Sequence, residues 1–126
     1  MELVYDAAAL IGAERNSVDL LALHEAALRA GVLPMVPAAV LGQVWRGTSR
    51  QARLSRLLTG CQVLPLDEIT AREGGVLCGK AKTSDIVDAV VVVLASRYHA
   101  GVVTSDRSDL EVLTAALPVT LSVYDV

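Results

Sequence analysis

Short β-branched runs recur along this chain with longer helical stretches between them, and that alternation is its strongest constraint on folding. The strand candidates are residues 2–5, 32–36, 63–66, 101–104 and 119–124, several bounded by glycine or proline, as at Gly31, Pro34, Pro37, Pro65, Gly101 and Pro118. Leu20, Leu21, Leu23, Ala27 and Leu28 follow a helical repeat from Ser17, a plausible N-cap, to Gly31. Pro37 opens a second helix with the apolar stripe Val40, Leu41, Val44 and Trp45, and an apolar and basic stretch runs through 50–59 to Gly60. Residues 68–80 read as a weaker helix interrupted by its glycines. The run 84–99 contains Val90 to Val93, but its length argues for a helix buried on more than one side, capped by Thr83 or Ser84. Alternating strand and helix predicts an α/β fold, a three-layer sandwich around a central parallel sheet.

A chain of 126 residues suits one domain, 1–126, with no linker, repeat or low-complexity segment. Hydrophobic residues make up 53% of it with only one Trp, three Tyr and no Phe, so Val, Leu, Ile and Ala must build the core. So apolar a chain predicts that part of its surface is covered by a second subunit or a binding protein. The net charge of −3 excludes attraction of the whole molecule to nucleic acid, so a polyanion would need a local basic patch or a metal. Cys61 and Cys78 form no metal-ligand spacing and are expected as reduced thiols. No run is long and apolar enough for a membrane span and the start lacks a basic leader, which predicts a soluble, cytoplasmic protein with no membrane partner.

The chemistry-bearing residues are aspartates at predicted strand ends. Asp6 closes Leu3-Val4-Tyr5, and Asp106 closes Val102-Val103-Thr104-Ser105. Asp85 and Asp88 share a face at a helix start, and Asp106 and Asp109 repeat that spacing on the loop and helix after the fourth strand. Carboxyl ends of parallel strands form the ligand crevice of such sheets, so as many as five carboxylates are expected to converge. Two carboxylates about 5 Å apart repel by roughly 3 kcal/mol at an effective dielectric near 20, so the cluster needs protons or a cation. Oxygen ligands of this hardness select Mg²⁺ or Mn²⁺. Taken singly, each acid also has an ordinary use, as a helix-dipole partner or a turn former.

Other readings of the same scaffold lack their residues. There is no Walker A loop, no Gly-x-Gly-x-x-Gly and no Gly-x-Ser-x-Gly. A receiver domain would need two adjacent acids after the first strand, and a dehalogenase-type phosphatase an Asp-x-Asp where position 8 is Ala8. His24 and His99 fall in predicted helices away from the strand ends and suit packing or the surface better than base catalysis. Trp45 suits the core or a subunit contact. Arg46, Arg50, Arg53 and Arg56 would align along one side of a continuous helix, where they could grip an RNA backbone, pair with a partner's acids or form a solvated face; a break at Gly47 and Thr48 would undo the alignment.

The segments Val4-Tyr5-Asp6-Ala7-Ala8-Ala9-Leu10, Ser84-Asp85-Ile86-Val87-Asp88-Ala89 and Val102-Val103-Thr104-Ser105-Asp106 resemble, in the right order, the acidic motifs of PIN domains, in particular VapC-type toxins of bacterial toxin–antitoxin pairs. The resemblance implies an α/β/α sandwich and a Mg²⁺-dependent endoribonuclease that forms a homodimer and is held inactive by a small antitoxin. It implies Asp6, Asp88 and Asp106 as catalytic metal-site acids, Asp85 and Asp109 as accessory metal ligands, and Thr104 and Ser105 as residues that orient the site through their hydroxyls. One position departs from the pattern. The family usually carries a glutamate on the second helix, where Val40-Leu41-Gly42-Gln43-Val44 places Gln43, whose one neutral carbonyl oxygen predicts a weaker metal site. Either the accessory acids compensate and the site cleaves RNA, or the domain works as a binding module with little hydrolysis.

Overall fold

The computed structural model describes all 126 residues. Five strands form one parallel sheet in the order β3-β2-β1-β4-β5: β1 (Glu2–Tyr5), β2 (Met35–Pro37), β3 (Gln62–Leu64), β4 (Ala100–Thr104) and β5 (Val123–Asp125). Seven α-helices connect them: α1 (Ala7–Glu14), α2 (Val18–Arg29), α3 (Ala38–Val44), α4 (Ala52–Leu58), α5 (Glu68–Ala81), α6 (Ile86–Arg97) and α7 (Ser108–Ala115), with a 3₁₀ turn at Ser49–Gln51. The chain runs outward from β1 through β2 to β3, then crosses back to β4 and outward again to β5. With right-handed crossovers this puts α1, α2 and α4 on one face and α5, α6 and α7 on the other, while α3 touches both α1 and α6. The sandwich expected from the alternation is the fold observed.

The core sits where the burial pattern requires it. Leu3, Val4 and Tyr5 of β1 have no exposed surface, and all five residues of β4 are buried. In α6 the seven residues Ala89 to Ala95 are consecutively buried, because the helix is packed against β1, β2, β4, α3, α5 and α7. This accounts for valines in a helix, since tertiary packing overrides their local strand preference.

Several elements differ from their sequence expectations. Helix α1 was not signalled, because Ala7 to Ala13 is almost uniformly small or apolar and has no polar face to mark a period. Helix α5 runs unbroken through Gly74, Gly75 and Gly79. Asp85 itself caps α6, its carboxylate accepting the Asp88 N–H at 3.2 Å, while Thr83 accepts the Asp85 N–H. The basic stretch is not one helix: α3 ends at Trp45, and Gln51 shapes the loop that follows. Buried Gln51 donates to the Val44 carbonyl at 2.9 Å and accepts the Arg46 and Gly47 N–H groups at 2.8 and 3.1 Å. Arg46 therefore does not align with Arg53 and Arg56 on α4. Trp45, expected in the core or at a contact, is 40% exposed at the end of α3.

Candidate acidic site between the first and fourth strands

The strand order reverses direction between β1 and β4, and in open parallel sheets this switch point is where a crevice forms beyond the carboxyl ends. Asp6 leaves β1 there. Its N–H continues the ladder to the Val103 carbonyl at 3.2 Å, and its carboxylate caps α1 by accepting the Ala9 N–H at 2.9 Å. The residue is 4% exposed, and burial raises its pKa. The Thr104 hydroxyl and the Ala9 and Ala8 amides oppose that shift, and the charge of Asp109 adds to it. The usual role of an acid at a helix start thus coexists with a place at the strand-end crevice.

Asp88, in the first turn of α6, carries the largest carboxylate perturbation: burial first, then the hydrogen bond and charge of Asp85, then the charges of Asp6 and Asp109, push its pKa up to about 7. Asp88 therefore feels Asp85, Asp6 and Asp109, and Asp6 feels Asp109. Asp106 is not among the charges acting on Asp6 or Asp88. It is exposed, donates its N–H to the Thr104 hydroxyl at 3.0 Å and accepts a hydrogen bond from Ser108.

Thr104 is fully buried; its hydroxyl accepts the Asp106 N–H and lies beside the Asp6 carboxylate. Ser105 is exposed and takes no part in the hydrogen bonding; Ser108 is the hydroxyl on Asp106 instead. The sequence signal for Ser108 was its place two residues after Asp106, an ordinary turn pattern that carried no weight alone. Gln43 lies exposed on α3, the helix that bridges the two layers.

The donor set is all oxygen and crowded enough to keep a proton on Asp88 near neutral pH, which is the chemistry a hard divalent cation relieves. The side chains are not closed into a cage, since no three Asp, Glu, His or Cys groups surround a common point. No cavity encloses the acids either, and the grooves of the molecule lie elsewhere. One of them, about 300 Å³, lies between α2 and α4 and is lined by Asn16, Leu21, His24, Leu28, Arg53, Arg56 and Leu57. His24 is buried there and hydrogen-bonded to the Tyr5 hydroxyl at 2.8 Å, a packing histidine as expected. Arg46 and Arg50 line a separate groove with Glu14, Thr48 and Gln51.

The fold and the order of the acids define a PIN-type domain, and the family model for the PIN domain matches residues 3–113. The chain belongs to the PIN domain family. No curated protein sequence matches it significantly. Among solved structures it is similar to the VapBC2 complex of Rickettsia felis bound to a DNA fragment from their promoter, at a TM-score of 0.76 and 13% identity, covering 99% of this chain and 100% of that one. A toxin–antitoxin complex from Klebsiella pneumoniae matches at a TM-score of 0.66 and 16% identity, over 86% of this chain and 90% of that chain. FitAcB from Neisseria gonorrhoeae matches at 0.67 and 13%, over 98% and 96%. At such identities the likeness is one of fold.

Proposed function

We propose that this chain is a metal-dependent endoribonuclease and the toxin of a toxin–antitoxin pair. The observation that carries the reading is the set of acids at the switch point between β1 and β4: Asp6 buried at the strand end, and Asp88 in the first turn of α6, on which the charges of Asp85, Asp6 and Asp109 act. Asp6 and Asp88 would hold Mg²⁺ or Mn²⁺, with Asp109 and Asp85 beside them and Asp106 reaching the site from the turn after β4. Such an ion, when bound, supplies charge neutralisation at the phosphoryl oxygen and a lowered pKa for a coordinated water. The chain's own residues do the rest. Asp6, fixed by the Ala9 amide and buried, offers an immobile carboxylate. Burial and the neighbouring acids push the Asp88 pKa up to about 7, so a cation held there would favour its ionised form. Thr104 ties Asp106 to the same strand end.

RNA is the substrate this reading favours, approached from an open surface on which Arg46, Arg50, Arg53 and Arg56 supply local positive charge in an acidic molecule. The groove between α2 and α4 supports a small antitoxin as partner: Leu21, Leu28 and Leu57 offer apolar wall, and Arg53 and Arg56, which form no internal salt bridge, suit an acidic apolar segment. Homodimerisation belongs to the same proposal, supported by the exposed Ile69 and Val76 on α5.

Gln43 and the open spacing of the acids favour a second reading, a PIN-fold binding module with little hydrolysis. One experiment separates them. Purified protein is incubated with structured RNA and Mg²⁺ or Mn²⁺, beside Asp6→Asn, Asp88→Asn and Gln43→Glu. Cleavage lost in both Asp variants supports the enzyme. No cleavage by the natural chain, with activity appearing in Gln43→Glu, establishes the binding module.

A further inference from the structure

Three helices start beside the acids, and they are not anchored alike. Asp6 caps α1 and Asp85 caps α6 with their own carboxylates, but α7 has Arg107 at its cap and no side-chain cap bond. Asp106 and Asp109 flank that uncapped start, where the Asp109 N–H donates to the Asp106 carbonyl at 3.3 Å. The Arg107 guanidinium reaches β5 instead. Its Nη2 donates to the Asp125 carboxylate at 2.8 Å and to the Val123 carbonyl at 3.1 Å, and its Nε donates to the other Asp125 oxygen at 3.4 Å. The same strand grips the end of β4: Asp125 is in register with Thr104, and the Val126 N–H donates to the Thr104 carbonyl at 2.9 Å. Thr104 in turn accepts the Asp106 N–H.

We infer that Arg107, locked by Asp125, is a positioning residue for Asp106 and Asp109, so that the C-terminal strand is part of the support of the acidic site. β5 lies beyond the stretch matched by the family model, which ends at residue 113. A lone exposed ion pair would contribute little, but a forked guanidinium with a third bond to a main-chain carbonyl fixes geometry as well as charge. Lysine cannot make that fork.

The inference rests on the proposed metal site only for one of its two readouts. Arg107→Ala, Arg107→Lys and Asp125→Asn are compared with the natural chain, each first shown to melt cooperatively. Amide hydrogen exchange at Asp106 and Asp109, measured without metal, is expected to quicken in all three variants. Mn²⁺ titration by calorimetry is expected to show a loss of affinity of about 10-fold in the three variants, as for other groups that hold ligands in place. Unchanged exchange at both amides overturns the inference, as does tighter RNA binding in Asp125→Asn, which would make Arg107 a substrate contact held back by Asp125. If the natural chain binds no Mn²⁺, the metal-site reading fails and the exchange measurement alone decides this one.

Discussion

Asp88 shows how far a single side chain departs from its solution behaviour. An aspartate titrates near 3.9 in an unfolded chain, and in the fold this one is pushed up to about 7. Between about pH 4 and pH 7 the unfolded state therefore releases a proton that the folded state keeps, so stability present below that window is lost as pH rises through it. Thermal melts without divalent cations should show a falling Tm across the window. Asp88→Asn should flatten the fall and gain roughly 1 kcal/mol at pH 7.5, because Asp88 is half-exposed and solvent screens part of the repulsion. Added Mg²⁺ should raise the natural chain's Tm more than the variant's. Thr104 makes the complementary case. Thr104→Val leaves the Asp106 amide without its acceptor and Asp6 without a neighbouring hydroxyl, and should cost about 1–3 kcal/mol in urea unfolding, whereas Thr104→Ser should cost well under half of that.

At the scale of elements, glycines separate packing from propensity. A Cβ on Gly101 of β4 would lie 2.2 Å from Cε2 of Tyr124, whose ring rests on that strand from β5. Gly101→Ala should push the ring away and destabilise the protein by about 1–3 kcal/mol in the same unfolding measurement, loosening the β4–β5 contact on which Asp106 and Asp109 depend. Gly75 and Gly79 on α5 face open space, so alanine at each should stabilise by about 0.5–1 kcal/mol through helix propensity alone. Two of the three acid-bearing helix starts are capped by the acids themselves. This is why strand-end and first-turn positions were informative in the sequence: the hydrogen bond that starts a helix also fixes a carboxylate at the strand-end side of the sheet.

For the molecule as a whole, a chain with 53% hydrophobic residues leaves sizeable apolar side chains outside, among them Ile69 and Val76, 67% and 59% exposed on one helix. Light scattering at micromolar concentration should report a dimer, and a stable monomer would remove self-association from the proposal. No helix is long and apolar enough to cross a membrane.

Local sequence determined the parallel α/β architecture, because strand and helix periods depend on neighbours a few residues apart, and Val102 to Asp106 or Ser84 to Asp88 show their strand end and helix start without help. It left α1 unmarked, where a uniformly apolar segment has no face to read, and it left open the break between Arg46 and Arg53, for which Gly47 and Thr48 were the only local signal and which hangs on the long-range-satisfied side chain of Gln51. It named the acids but not their partners. Which carboxylates raise the pKa of Asp88, that Asp106 turns to Ser108, and that Arg107 is held by Asp125 eighteen residues on were decided by the tertiary structure. Electrostatic repulsion and hydrogen bonding act through space, and only folding sets those distances.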